Sequence, residues 1–172
     1  IIAWRSLTSA TNRRTMLATL LPLIPTCQSI QILQLDNIDD MLQILVLFNS
    51  IIFDYIVRLK MAGLDLTQTI IKQIPVPKKE IYESVIVFQD KEDTIRNHVY
   101  ARIKYLYAKD KRVSALFENN NICDSTKKSR KQIISELDCL VGAMYGLSTE
   151  QIKEIASTFD KYYTKKEVEQ WF

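Results

Sequence analysis

A chain of 172 residues with 47% hydrophobic side chains can build one sizeable core and is too apolar to stay disordered. Its net charge of +3 excludes a uniform polyanion-binding field, so any attraction for nucleic acid must be local. Cys27, Cys123 and Cys139 are widely spaced and the one histidine is His98, so no zinc site is expected, and the thiols suit a reducing cytoplasm.

The first residues lack the charged n-region and the cleavage site of a secretory signal. They begin without Met inside a strand-like run, as a piece of a longer protein would. Residues 1–7 mix β-branched, aromatic and polar side chains and read as a strand. Residues 9–14, SATNRR, are polar and turn-like. Residues 15–23 resume an apolar run, and Pro22 and Pro25 favour an edge strand over a short helix. Residues 29–35, SIQILQL, alternate polar and apolar as a half-buried strand does. No acidic residue precedes Asp36, while Arg5, Arg13 and Arg14 do, so this segment is one-sidedly basic.

Residues 41–61, MLQILVLFNSIIFDYIVRLKM, read as one long helix, apolar on almost every face and therefore buried. Asn49, Asp54 and Arg58 argue against a membrane, where polar groups are costly. Asp39 and Asp40 suit the positive end of the helix dipole, and Gly63 follows the last turn. Gln43, Ser50, Asp54 and Arg58 share one narrow stripe, on which Asp54 and Arg58 are four residues apart. Asn49 lies off it, among Leu45, Phe48, Ile52 and Phe53. There an amide bonded to nearby backbone is favoured over a ligand contact.

Residues 69–76, TIIKQIPV, read as a short strand stopped by Pro75 and Pro77. Most of the charge follows, and no further strand is clear. Residues 80–88 open either a helix or a strand. Residues 93–109 carry a helical face of Ile95, Val99, Ile103, Leu106 and Tyr107. Residues 119–128 are a polar loop. Residues 129–145 form a clean amphipathic helix capped by Gly146, and Ser148 with Gln151 makes a capping box for another. The expected architecture is α+β. A small mixed or antiparallel sheet packs on the long central helix over residues 1–77, and a helical subdomain fills 78–172.

Catalytic patterns are missing. Gly63, Gly142 and Gly146 cannot build a phosphate-cradling loop, and no serine sits in a nucleophile elbow. His98 reads as a solvated or interface side chain. The carboxylate pairs Asp39–Asp40 and Glu92–Asp93 sit at helix starts, which the dipole explains without catalysis. A binding or scaffolding module is expected.

Three blocks carry a resemblance. They are AWRSLTSATNRRTMLATLLP at 3–22, LFNSIIFDYIVRLKMAGLDLTQTIIKQIPVP at 47–77 and SELDCLVGAMYGLSTEQIKEIASTF at 135–159. In that order they resemble the C-terminal specificity region of large adenine-specific DNA methyltransferases. TaqI-like enzymes, fused restriction–modification polypeptides and phage-exclusion methylases are of this kind. The middle block is also similar to a half-domain of type I specificity subunits. Residues 78–119 match that family poorly. The N-P-P-Y motif, the cofactor loop and the P-D…D/E-x-K nuclease signature do not occur in the chain.

The resemblance implies a cytoplasmic target-recognition fragment that binds double-stranded DNA, is not itself an enzyme and holds no cofactor. S-adenosylmethionine and methyl transfer belong to an upstream methyltransferase domain of the parent chain, with or without a nuclease. Flipping a base requires the duplex to be gripped, through phosphate contacts that position and base contacts that specify. The candidate DNA-binding residues are Arg5, Ser9, Thr11, Asn12, Arg13, Arg14 and Thr15. Arg can pair bidentately with guanine and Asn with adenine, and Arg13 and Arg14 are expected to divide base and phosphate contact. Lys127, Lys128, Arg130 and Lys131 form a second basic patch. The other reading is a module that docks on the catalytic domain or a partner subunit. DNA binding requires Arg5, Arg13 and Arg14 on one concave face, and docking requires an exposed apolar patch there.

Overall fold

The computed structural model describes residues 1–107, 109–117 and 128–172. The fold is α+β. Strand β1 (Ile2–Arg5) lies between β2 (Ala18–Leu20) and β3 (Ile30–Leu33), antiparallel to both. Ile2 pairs with Leu20 and Leu33, and Trp4 with Ala18 and Gln31. The alternation at 29–35 holds only in part. Leu33 packs on the core, while Ile32 on this edge strand is left exposed.

The apolar run at 41–61 is two helices. Helix α1 (Ile38–Asn49) and α2 (Ile51–Lys60) meet at Ser50 with a bend of 65°. Ser50 adopts extended backbone, and its hydroxyl accepts from the Phe53 N–H. The Ile51 N–H donates to Asp138 Oδ1 at 2.9 Å, so two of the open donors at the start of α2 are satisfied by side chains. No single helix among the described residues is long and apolar enough to cross a membrane.

Leu45, Phe48, Ile52 and Phe53 are buried as expected. Trp4 meets Phe48 edge-on at 5.5 Å, which seats the sheet on α1, and Phe48 meets Phe53 at 5.1 Å. At the start of α1 the Asn37 side chain accepts from the N–H groups of Asp39 and Asp40. Residues 69–76 are not a strand. Thr67 caps a short helix α3 (Gln68–Lys72), and pairing with the β1 end is taken by residues 64–66 instead, through Thr8 N–H to Leu64 O and Leu66 N–H to Ser6 O.

The second half is not purely helical. After α4 (Lys79–Tyr82), β4 (Val85–Phe88) and β5 (Lys91–Thr94) form a hairpin turning at Gln89 and Asp90, with φ of 54° and 61°. Two left-handed residues in a two-residue loop match the twist of the strands. Gln-Asp lacks the Asn-Gly or Asp-Gly signature of such turns, so the hairpin was not legible. Helix α5 (Ile95–Tyr107), a 3₁₀ turn (Ser114–Phe117), α6 (Arg130–Met144), α7 (Thr149–Ser157) and α8 (Lys165–Trp171) follow. Gly146, at φ +71°, ends α6, and the Ser148–Gln151 capping box starts α7. A Cβ on Gly142 would lie 2.4 Å from Ile152 Cδ1, so glycine there allows α7 to approach α6 closely. Helix α5 packs on α1 and α6, and α2 packs on α6 and α7. Both halves of the chain thus supply one continuous core, from Ile2 and Phe53 to Leu140, Phe159 and Tyr163.

Candidate nucleic-acid interface

The segment at 8–15 is anchored to α2 by charge. Asp54 is completely buried. Arg14 Nε donates to its Oδ2 at 2.8 Å, Arg58 Nε to its Oδ1 at 3.3 Å, and the Thr15 N–H also points to it, at 3.0 Å from Oδ2. Arg14 Nη2 donates to Asn49 O at 2.7 Å, at the end of α1. Arg58 Nη2 donates to the carbonyls of Asn12 and Arg13. Asp54 and Arg58, four residues apart on the shared stripe, therefore act together, while the Ser50 hydroxyl bonds Leu47 O and caps α2. Asn49 behaves as a satisfied amide. It accepts from Ala18 N–H and donates to Ala18 O and Leu45 O, tying β2 to α1.

The C-terminal tail closes over the same segment. Arg58 lies 4.0 Å from the Phe159 ring centroid, and Tyr162 faces both Arg13 and Arg14 at 5.2 Å. Lys161 donates to Thr11 O. Asp138 receives the Tyr163 hydroxyl at 2.7 Å as well as the Ile51 N–H. Residues from all three of the sequence blocks thus converge on one cluster. Arg14 comes from N-R-R-T, Asn49 and Asp54 from N-S-I-I-F-D-Y, Asp138 from L-D-C-L-V and Phe159 from T-F.

Two expectations are corrected here. Arg14 is only 4% exposed and Thr15 not at all, so neither stands on the exposed turn expected of them. Their polarity is consumed by Asp54, Asn49 and the segment's own backbone: the Thr15 hydroxyl donates to Ser9 O and Thr8 donates to Thr15 O. Arg13 is exposed and Arg14 is buried, although both guanidiniums lie 5.2 Å from the Tyr162 ring centroid. The electrostatics follow from burial. Burial works against the Arg14 charge, but Asp54 and Asp138 carry its pKa above the ordinary value.

Asp138 goes the other way. Burial pushes its carboxyl up to about 6 against the opposing pull of Arg14 and the hydrogen bond from Tyr163. An unfolded aspartate titrates near ~3.9. Protonation therefore favours the folded state, and this contribution, fully present below about pH 4, is lost as the pH rises through about 6. Denaturant unfolding from pH 4 to 7 should show the native chain losing stability relative to Asp138→Asn as the pH rises. Parallel profiles would refute it.

The remaining basic residues meet in an open cleft of about 640 Å³. It is lined by Arg5, Asn12, Arg13 and Arg14 from the N-terminal segment and by Arg130, Lys131 and Tyr162 from α6 and the tail, with Leu17 and Ile134 on the floor. None of these lining residues is acidic. The two basic clusters are therefore largely one surface. Among the described residues the Arg13 guanidinium makes no hydrogen bond, and that of Arg130 donates once, to Leu106 O. Arg5 donates to Arg14 O through Nη2, while its Nε is buried with no partner among the described residues. Lys131 is held by Glu167, and Lys128 stands apart, paired with Glu136 and Gln89. Lys127 lies outside the described residues. Ser9 and Thr11 bond each other at 2.9 Å beside the cleft, and the Asn12 amide donates to Thr8. Sequence reading placed Arg130 and Lys131 in a separate patch. Their position on the first turn of a helix packed beside the tail is what brings them round. Tyr162 was missed, and only its place three residues after the T-F pair hinted at it.

Compared with protein-family models, with curated proteins and with solved structures, the chain matches none.

Proposed function

We propose that the chain is a DNA-binding module that grips a duplex with the cleft between the N-R-R-T segment and α6. Its particular kind, on the resemblance of the three blocks, is the target-recognition region of a TaqI-like or fused restriction–modification adenine methyltransferase, working in the cytoplasm. On this reading the upstream domain of the parent binds S-adenosylmethionine and transfers the methyl group. The observation that carries the proposal is the meeting of Arg5, Arg13 and Arg130 in one cleft without a lining carboxylate. Arg14 and Lys131 are already neutralised by Asp54 and Glu167, so three cations are left to meet phosphates. Three phosphate contacts give a slope of log affinity against log salt of roughly −3.

Titration of a duplex at several salt concentrations tests this. Arg13→Ala and Arg130→Ala should each weaken binding and make the slope shallower by about one unit. If one of them instead loses affinity only for the cognate sequence, it reads a base, at about 1–3 kcal/mol per bidentate contact. The docking reading draws on Leu17, 42% exposed at the cleft floor. It gains if the slope is near zero and neither arginine matters.

A further inference from the structure

Strand β4, Val85-Ile86-Val87-Phe88, carries no charge, whereas Lys91, Glu92 and Asp93 of β5 are all charged. Ile86 and Phe88 pack on the core, while Val85 and Val87 are 60% and 70% exposed. The ladder also fixes which way the backbone points. Ile95 N–H donates to Ser84 O, and from there Val85 pairs with Thr94, Ile86 with Asp93, Val87 with Glu92 and Phe88 with Lys91. Antiparallel pairs alternate between bonded and non-bonded, so Ser84, Ile86 and Phe88 bond to β5. The N–H and C=O groups of Val85 and Val87 therefore face away from it. Among the described residues the sheet has only these two strands, so that edge is unpaired. Sheet edges are ordinarily blunted by lysine, proline or a bulge. This strand holds no charge and no proline, and pairs with β5 residue for residue, without a bulge.

We propose that β4 is a self-pairing edge through which two copies of this chain join, their hairpins forming one antiparallel sheet. The edge fits its own copy. Two β4 strands laid antiparallel about a two-fold axis at Ile86 set Val85 of one against Val87 of the other. Both residues face outward, so each such pair exchanges two hydrogen bonds, and symmetry repeats the exchange. The valines also become cross-strand neighbours on the exposed face. Like charges stay apart. Glu83, held by Arg96, comes opposite Gln89 of the second copy, and Asp90 opposite Tyr82. The charged β5 then forms both outer edges, so the sheet closes at two hairpins instead of growing.

Sedimentation over a range of concentrations tests this, with melting curves as the check on folding. The native chain should behave as a monomer–dimer equilibrium. Val85→Lys combined with Val87→Lys sets lysine against lysine in both pairs and should raise the dissociation constant at least ~10-fold. Val85→Lys combined with Val87→Glu sets each lysine against a glutamate of the other copy and should restore the dimer. That restoration is specific to antiparallel pairing centred on Ile86. Should the double-lysine variant fail to fold, Val87→Pro takes its place, because it removes an outward N–H and leaves the bonds to β5 intact. A native chain still monomeric at ~1 mM, the weak end of specific association, overturns the pairing. So does a dimer that survives in the folded double-lysine or proline variant, or one that the lysine–glutamate combination does not restore.

Discussion

Replacing Asp54 by alanine should destabilise the protein by about 3–5 kcal/mol, the cost of leaving a buried charge without its partner. Arg14 is the residue stranded. It is 4% exposed, and its Nε bond to Asp54 would be lost while its Nη2 stays pinned to Asn49 O. Arg58 and the Thr15 N–H lose the same acceptor. For a chain of this size about 1 kcal/mol moves the midpoint by roughly 2–4 °C, so a fall on the order of 10 °C is expected. Thermal melting followed by circular dichroism measures it. A midpoint within a degree of the native one would mean that the segment at 8–15 is not held by this carboxylate. The same argument governs how loss of DNA binding is to be read. Arg14→Ala should abolish binding by releasing the segment, with a lowered midpoint. Arg13→Ala, whose guanidinium faces Tyr162 at the surface, should weaken binding at an unchanged midpoint. Only the second result speaks for contact.

Phe53→Ala is the other large effect, again about 3–5 kcal/mol, from lost burial and the cavity left behind. Phe53 is completely buried beside Phe48, on the helix that carries Asp54. A loss of this size is a large share of the 5–15 kcal/mol typical of a domain. Guanidinium unfolding should show a lower midpoint with an unchanged slope. An unchanged midpoint would place the core elsewhere. The two substitutions act on adjacent residues but through different physics. High salt should leave the Phe53→Ala deficit intact, because apolar burial is not screened as exposed ion pairs are.

By itself the sequence determined the composition of the core and most of the punctuation. The apolar run at 41–61, the acidic start at Asp39 and Asp40, the capping box at Ser148 and the glycine at 146 are local signals, and local signals survive without a partner. It also supplied the acid-free basic segment before Asp36. Tertiary structure decided what those signals were for. Apolar periodicity runs unbroken through Ser50, so one helix is expected; at the break Asp138, 87 positions further along the chain, takes the Ile51 N–H. Thr67 tipped 68–72 into a helix because residues 64–66 had already taken the pairing edge beside β1. The hairpin at 85–94 closes through two positive φ values that Gln-Asp does not advertise. The same holds for the site. A guanidinium looks alike in sequence whether it meets solvent or a carboxylate, and only the position of Asp54 shows that Arg14 belongs to the core while Arg13 and Arg130 share a cleft.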